Sequence, residues 1–321
     1  MGFGRYRFRR SFGNVSSQFR GARPDTYPLF SGLLDQYSGA AAAYSLRALS
    51  SGWLAGDVVE VRRSSDSTSQ DFTASQITSG AMLAWVTEFS GTADGFVSTW
   101  YDQSGNANNA TQIATTSQPK IVDAGALIED ANGNAWIDFQ NAAGGSIGLD
   151  LDSNIRETNG ASSIFASIKF DEIFTGSAEF QSPLFLYDTQ RWLVSSTTNT
   201  FYQDISISDA GGVTADQRYV RFPATLTNHN LLSSIYDGSS TTGGGKPDIQ
   251  FDENAVAQVG TDGSIDFGVP TTGTNSIGYR MDTSNQGCNA KFQELIIYAS
   301  DQSANRVAIE TNINDHYGIY A

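Results

Sequence analysis

The sequence is poor in cysteine, proline and charge. Cys288 is its one cysteine, so no intrachain disulfide can staple the fold and a packed core must hold it together. Seven prolines stand against 32 glycines, which points to a chain that turns on glycine and has few stiff linkers. Only 17% of residues are charged, and the polar remainder is Ser, Thr, Asn and Gln, a coat that suits a β protein better than a set of exposed helices. No apolar run approaches the ~20 residues of a membrane-spanning helix. The arginine-rich opening is not followed by an apolar h-region between Ser11 and Asp25, so a cleaved export leader is not expected.

Acidic residues are missing from Met1–Arg23, where Arg5, Arg7, Arg9, Arg10, Arg20 and Arg23 alternate with Phe3, Tyr6, Phe8, Phe12 and Phe19. The rest of the chain sets 13 basic residues against 34 acidic ones, about −21 in all. That body repels nucleic acid and anionic membrane, and only the arm attracts them. Arginine and aromatic side chains together stack on bases, and they equally anchor a peptide in an acidic, apolar groove of a partner protein. The charge of the body favours the protein partner, with Arg5, Arg7, Phe8, Arg9 and Arg10 as the docking residues and nucleic acid disfavoured.

Residues 1–37 read as the arm and its connector, and residues 38–321 as one domain. Gly39–Leu49 predicts a helix from its alanine run, Val58–Arg62 a strand, Ser79–Phe89 a helix capped by Ser79, and Phe96–Tyr101 a strand. Beyond Asp130 short strands alternate with glycine turns: Ala135–Phe139, Ser163–Phe170, Leu184–Tyr187, Trp192–Ser195, Phe201–Ile207, Arg218–Phe222, Leu231–Tyr236, Ser276–Tyr279 and Phe292–Tyr298. A closing helix, Ala304–His316 behind the cap candidate Ser303, carries an apolar stripe of Val307, Ile309, Ile313 and Tyr317. The pattern predicts an all-β jelly-roll sandwich with a few short peripheral helices and an extended N-terminal arm.

Three runs occur in order: Ala43-Tyr44-Ser45-Leu46-Arg47, Val61-Arg62-Arg63-Ser64-Ser65-Asp66, and Thr99-Trp100-Tyr101-Asp102-Gln103-Ser104-Gly105-Asn106-Ala107-Asn108. They resemble the N-terminal part of the catalytic domain of the family-54 α-L-arabinofuranosidases. They resemble more closely a group of phage and bacterial proteins with laminin-G-like, concanavalin A-like domains, many of them virion structural proteins. The end of the chain, Phe292–Tyr298 through Asn314–Ile319, is similar to the end of that domain. The resemblance implies a concanavalin A-like fold and raises the question of sugar cleavage, which needs two carboxyl groups flanking the bond. The family's acid, an Asp behind an Ile-Gly strand, corresponds to Asp282 in Ile277-Gly278-Tyr279-Arg280-Met281-Asp282. The region that corresponds to the family's nucleophile, about Gln190 to Ile207, holds Asp204 and no Glu, and the family's cysteines are missing. Hydrolysis is therefore not expected, and Asp282 is catalytic only if the chain is a hydrolase after all.

The expectation drawn from all this is a phage virion structural protein: a capsid decoration, head fibre or tail fibre component, located in the virion and oligomeric. The arm would join it to a capsid or tail protein, and the sandwich would be displayed toward cell-surface glycans. Trp100, Tyr101, Asp102 and Asn106 are the candidate ligand residues, the aromatics to stack on a ring and the polar pair to bind hydroxyls. The same Asp-Gln-Ser-Gly-Asn run also reads as a tight turn in which Asp102 and Ser104 bond backbone groups and Gly105 takes a positive φ. No cofactor is expected; Ca²⁺ on Asp150, Asp152, Asp282 or Asp301 is the one metal considered, since His229 and His316 lack the partners of a zinc site. An arabinofuranosidase-like hydrolase and a bacterial lectin or adhesin are the alternatives.

Overall fold

The computed structural model describes residues 30–141, 145–151, 155, 161–172, 180–186, 190–197, 200–207, 218–223, 227–236, 248–251, 254–255, 275–279 and 287–321. Those from Ser31 onward belong to one compact unit. Its first part runs α1 (Leu33–Gln36), β1 (Ala40–Ser45), β2 (Asp57–Arg63), β3 (Ser69–Thr73), α2 (Ala74–Thr78), α3 (Ala81–Val86), β4 (Gly95–Trp100), β5 (Ala110–Thr111), β6 (Lys120–Asp123), β7 (Ala126–Leu127) and β8 (Ile137–Asp138). There follow β9 (Leu149–Leu151), β10 (Ser162–Phe170), β11 (Phe180–Leu186), β12 (Gln190–Thr197), β13 (Thr200–Ile207), β14 (Arg218–Pro223) and β15 (Asn230–Tyr236). The chain closes with β16 (Asp248–Phe251), β17 (Asn254–Ala255), β18 (Asn275–Ile277), β19 (Ala290–Tyr298) and α4 (Arg306–Tyr317).

All pairings given for these strands are antiparallel, and they form one strongly curled sheet. One arm of it is β1–β19–β10–β15–β16–β17. The other is β3–β2–β4–β5–β9–β18–β11–β12–β13–β14. The short β8 pairs with β19 and with β6, itself a partner of β4, and so joins the two. The arms close on a core in which Tyr44, Ile164, Ile168, Leu295 and Ile297 meet Val59, Val61, Val97, Trp100, Leu151 and Ile277. The expected all-β sandwich is the architecture observed.

A second cluster lies on the outer side of the first arm. There Ala43, Phe165, Ile296 and Tyr298 pack under Ile309, Ile313 and Tyr317 of α4, together with Leu33 and Leu34 of α1. Strand β19 is thus buried on both faces, which is why Leu295-Ile296-Ile297-Tyr298 is an unbroken apolar run. The alanine run of β1 has the same cause. Its residues fill both clusters and pair with β19, Ala43 opposite Ile296 and Tyr44 opposite Leu295. The predicted helix over 39–49 is therefore a strand: small side chains let two layers close on it, and that packing overrides helix propensity.

The predicted helix over 79–89 is two short ones. Gly80, at φ +78°, caps α3, and Ser79 ends α2 instead of starting a helix. Phe89 lies beyond α3, 64% exposed, with the Arg63 guanidinium 4.2 Å from its ring centroid. Helix α4 begins at Arg306 behind Asn305, not Ser303, and Val307 is exposed while Ile309, Ile313 and Tyr317 are buried. Among the described residues no helix is long and apolar enough to cross a membrane.

Candidate functional site

The run Tyr101–Asn109 is a loop that lies along the outer side of β1 and supplies the bonds a neighbouring strand would supply. The backbone N–H of Ala43 donates to Asp102 Oδ1 at 2.8 Å, and its carbonyl accepts from the N–H of Gln103 at 2.8 Å. Asn106 Nδ2 donates to the carbonyls of Ala40 and Ala41, and Asn108 Nδ2 to Ala41. Gln103 continues the cover, donating from Nε2 to the carbonyls of Ser45 and Arg47 and accepting from the N–H of Leu49. Gly105 sits at φ +91° where the loop reverses.

This geometry corrects two of the ligand candidates. Asp102 is buried and its carboxylate accepts four bonds, from the N–H groups of Ala43, Ser104 and Asn108 and from Ser104 Oγ. Two carboxylate oxygens have about four lone-pair sites, so none is left for a sugar hydroxyl. Trp100 is fully buried, its ring 5.6 Å from that of Tyr44, and it has no face to offer a pyranose or furanose. Asn106 is exposed but spends its amide on β1. Tyr101 is half-buried and donates its hydroxyl to Asp71 at 2.6 Å; burial first, then the Asp71 carboxylate, pushes the phenol up.

The other two runs of the resemblance are architectural as well. Arg63 donates to Asp66 and Glu88 with its guanidinium between the rings of Trp85 and Phe89. Ser45 Oγ and Arg47 converge on Glu294, which is fully buried: Ser45 donates at 2.8 Å, Arg47 Nε at 2.8 Å and Nη2 at 3.0 Å, with Tyr317 OH at 3.1 Å. Burial pushes the Glu294 carboxyl up, and Arg47, Ser45 and His316 together outweigh it and hold the group below its ordinary value.

A second polar constellation surrounds the end of β18. There the N–H of Gly278 donates to the carbonyl of Pro183, and the N–H of Cys288 donates to the carbonyl of Gly278 at 2.8 Å. Asn141, 3% exposed, sits on this closure and shares its Nδ2 among the carbonyls of Ile147, Gly278 and Cys288 at 2.8, 3.2 and 3.1 Å. Its Oδ1 accepts from the N–H of Ile147 at 2.7 Å. Tyr279 donates its hydroxyl to Asp150, while Ser276 Oγ donates to the Tyr279 carbonyl at 2.5 Å. Burial, then Asp150, pushes the Tyr279 phenol up; burial, then Asp138, does the same to the Cys288 thiol. Neither Asn141 nor Tyr279 stood out in the sequence, because a lone Asn and a lone Tyr in turns carry no spacing signal.

Beside α4 lies a polarised chain. Gln293 Nε2 donates to Asp130 at 2.9 Å, which leaves its Oε1 to accept from Ser167 Oγ at 3.0 Å, and Ser167 in turn lies 2.7 Å from His229 Nε2. With its proton given to Gln293, Ser167 takes the Nε2 proton of His229. Burial, first of all, lowers His229 to about 4, with Lys169 adding to the effect and Asp130 opposing it.

Asp282, proposed as the acid, and Arg5, Arg7, Phe8, Arg9 and Arg10 of the arm lie outside the described residues, as does Asp152. Asp204 lies in β13, opposite Leu193 on one side and Arg221 on the other. Of the residues considered for Ca²⁺, Asp150 holds Tyr279 and exposed Asp301 accepts from the N–H of Ser303. Among the described residues no group of three or more His, Cys, Asp or Glu is placed to hold a metal ion.

Against this geometry the comparisons are specific. The family described as Alpha-L-arabinofuranosidase B, catalytic, matches residues 36–142, about one third of the chain. A crystal structure of arabinofuranosidase complexed with arabinofuranosyl-α-1,2-xylobiose shares the fold with TM-score 0.59 at 16% identity, over 89% of this chain and 65% of that one. A family-54 α-L-arabinofuranosidase soaked with a cyclic sulfate inhibitor shares it with TM-score 0.56 at 15% identity, again over 89% and 65%. The chain therefore spans about two thirds of the length of those proteins. No curated protein matches it. These similarities correct the expectation of a virion structural protein: they lead to the catalytic domain of arabinofuranosidases, and the closer kinship to phage decoration or fibre proteins finds no support.

Proposed function

We propose that the chain is a glycoside hydrolase of the α-L-arabinofuranosidase type. The observation that carries this reading is the match of residues 36–142 to that catalytic domain. It is supported by a fold that runs on past the matched part to the β18 turn preceding Asp282. Cleavage calls for one carboxyl to protonate the leaving oxygen and a second to attack the anomeric carbon or activate water. Asp282 takes the first role. Asp204 is the acidic residue in the stretch from Gln190 to Ile207, where no Glu occurs, and it takes the second.

The test is release of 4-nitrophenol from 4-nitrophenyl α-L-arabinofuranoside, followed by arabinose release from arabinofuranosyl-α-1,2-xylobiose. Wild-type protein is expected to turn over both, and Asp282→Asn and Asp204→Asn each to lower kcat by about 10³-fold or more. A single effective variant would assign one role and reject the other.

The missing Glu favours a second reading, a sandwich that binds arabinose-bearing glycans without cleaving them. Calorimetric binding of the trisaccharide with no turnover at any pH from 4 to 8 would establish it and displace the first.

A further inference from the structure

Among the described residues, Arg47, Arg63, Lys120, Lys169, Lys291 and Arg306 each pair with a carboxylate, and Arg62 does not. The hydrogen bonds of Arg62 go to neutral acceptors. Its Nε donates to Gln118 Oε1 at 2.8 Å, and its Nη2 donates to the Thr115 carbonyl at 3.2 Å. Gln118 is buried and fixed in turn, since its Nε2 donates to the Gln112 carbonyl at 2.8 Å. Arg62 is half-buried, its burial disfavours the charge, and no nearby carboxylate offsets that cost. In a body with 34 acidic residues, this is an uncompensated cation.

The sheet sets that cation on an aromatic ring. Arg62 of β2 is opposite Phe96 of β4, and Phe96 is opposite Lys120 of β6. The Arg62 guanidinium lies 4.6 Å from the Phe96 ring centroid, and Lys120 Nζ lies 5.7 Å from it. Lys120 is neutralised by Asp94 and Asp123, at 3.1 and 2.6 Å. The bonds to Gln118 and Thr115 use Nε and one N–H of Nη2, so the Nη1 donors take part in neither. Stacking on Phe96 keeps the guanidinium plane from turning. Its outer edge is thus a pre-aimed fork, the shape that takes both oxygens of a carboxylate.

We infer that Arg62 is a binding site for the carboxylate of a sugar acid, taken by the Nη1 edge of the guanidinium beside Phe96. The acidity of the body selects among carboxylate ligands: it repels a densely charged chain and tolerates a mostly neutral glycan with isolated uronic acid groups. The inference rests on the hydrolase reading for the kind of glycan, an arabinose-bearing chain that also carries uronic acids. The binding itself is measurable without turnover.

The probes are methyl β-D-glucuronide and its neutral counterpart methyl β-D-glucoside, added to wild type, Arg62→Gln and Arg62→Lys at about pH 6, where the sugar acid is ionised. NMR signals of the Phe96 ring report on all three proteins, and the Arg62 Nε–H signal reports on wild type. The glucuronide is expected to shift both signals saturably, and the glucoside neither. Affinity should fall about tenfold or more in Arg62→Gln, and about threefold or more in Arg62→Lys, which keeps the charge and loses the fork. Urea midpoints show that each variant is folded, and where Arg62→Gln is not, Arg62→Lys decides. Equal affinity for the glucoside, or undiminished affinity in the folded variants, overturns the site. Acetate or inorganic phosphate bound as tightly as the glucuronide overturns the sugar acid as its ligand. In turnover, the ratio of KM on a carboxyl-reduced arabinoxylan to KM on the same glycan with its glucuronic acids intact should fall about threefold or more in Arg62→Gln. An unchanged ratio overturns a part for Arg62 in substrate selection. No turnover in wild type rejects the hydrolase reading, while the glucuronide titration still decides the site.

Discussion

Two polar loops, 101–109 and the closure of 278 on 288, have opposite relations between what the sequence displays and what the structure does with it. The first is rich in the residues that bind sugars, yet Asp102, Gln103, Asn106 and Asn108 are occupied by the backbone of β1 and the turn beyond it. The second shows an ordinary Asn, Gly and Tyr, yet it ties residues more than a hundred positions apart into one closed ring of bonds. Residue type announces chemistry only when the side chain is left over after the backbone has been satisfied. In a sandwich with an uncovered strand, the backbone has first claim.

The sharpest way to break this comparison is Asp102→Ala. If the carboxylate is structural, its loss takes the acceptor from the buried N–H of Ala43 and from the part-buried N–H groups of Ser104 and Asn108 and costs about 3–5 kcal/mol in urea denaturation. Activity per folded molecule should not change, and a selective loss of glycan affinity instead would return the loop to the list of ligand sites. Gly278→Ala is expected to cost about 2–4 kcal/mol, from a positive φ and the Phe139 contact together, and here turnover should fall further than the folded fraction does.

Acid sensitivity discriminates between either loop and the chain beside α4. His229 titrates at about 4 in the folded protein against 6.5 in its ordinary state. A histidine with a depressed folded value adds stability that is complete above pH 6.5 and is lost as pH falls through 4. The loss is expected to reach roughly 2–3 kcal/mol, and His229→Gln should flatten that limb of the stability curve. The smallest effect belongs to Asn106→Ala, about 1 kcal/mol, since its side chain is exposed and water can replace its bonds to Ala40 and Ala41.

Much of the fold was legible. Strands β2, β4, β10, β15 and β19 announce themselves by β-branched and aromatic runs, and α4 by Ile309, Ile313 and Tyr317 at helical spacing. What misled was local propensity without its context: β1 is an alanine run only because two layers meet on it, and Ser-Gln-Asp-Phe-Thr of β3 buries one side chain, Phe72, and so reads as loop. The site was legible in the reverse sense. The three runs that carry the resemblance build the Glu294 cluster, the Arg63 stack and the β1 cover, so they identify a scaffold, while the closure around Asn141 depends on contacts between distant segments that no spacing encodes.

The cover on β1 has a consequence for assembly. A bare strand at the rim of a sheet is a template on which a second chain can extend the ladder, and sandwiches of this kind must guard against it. Here amide and carboxylate side chains occupy the hydrogen-bonding positions of β1 that such a chain would need. This rim is therefore closed to a second copy of the chain, and Asp102→Ala is expected to open it as a route to aggregation.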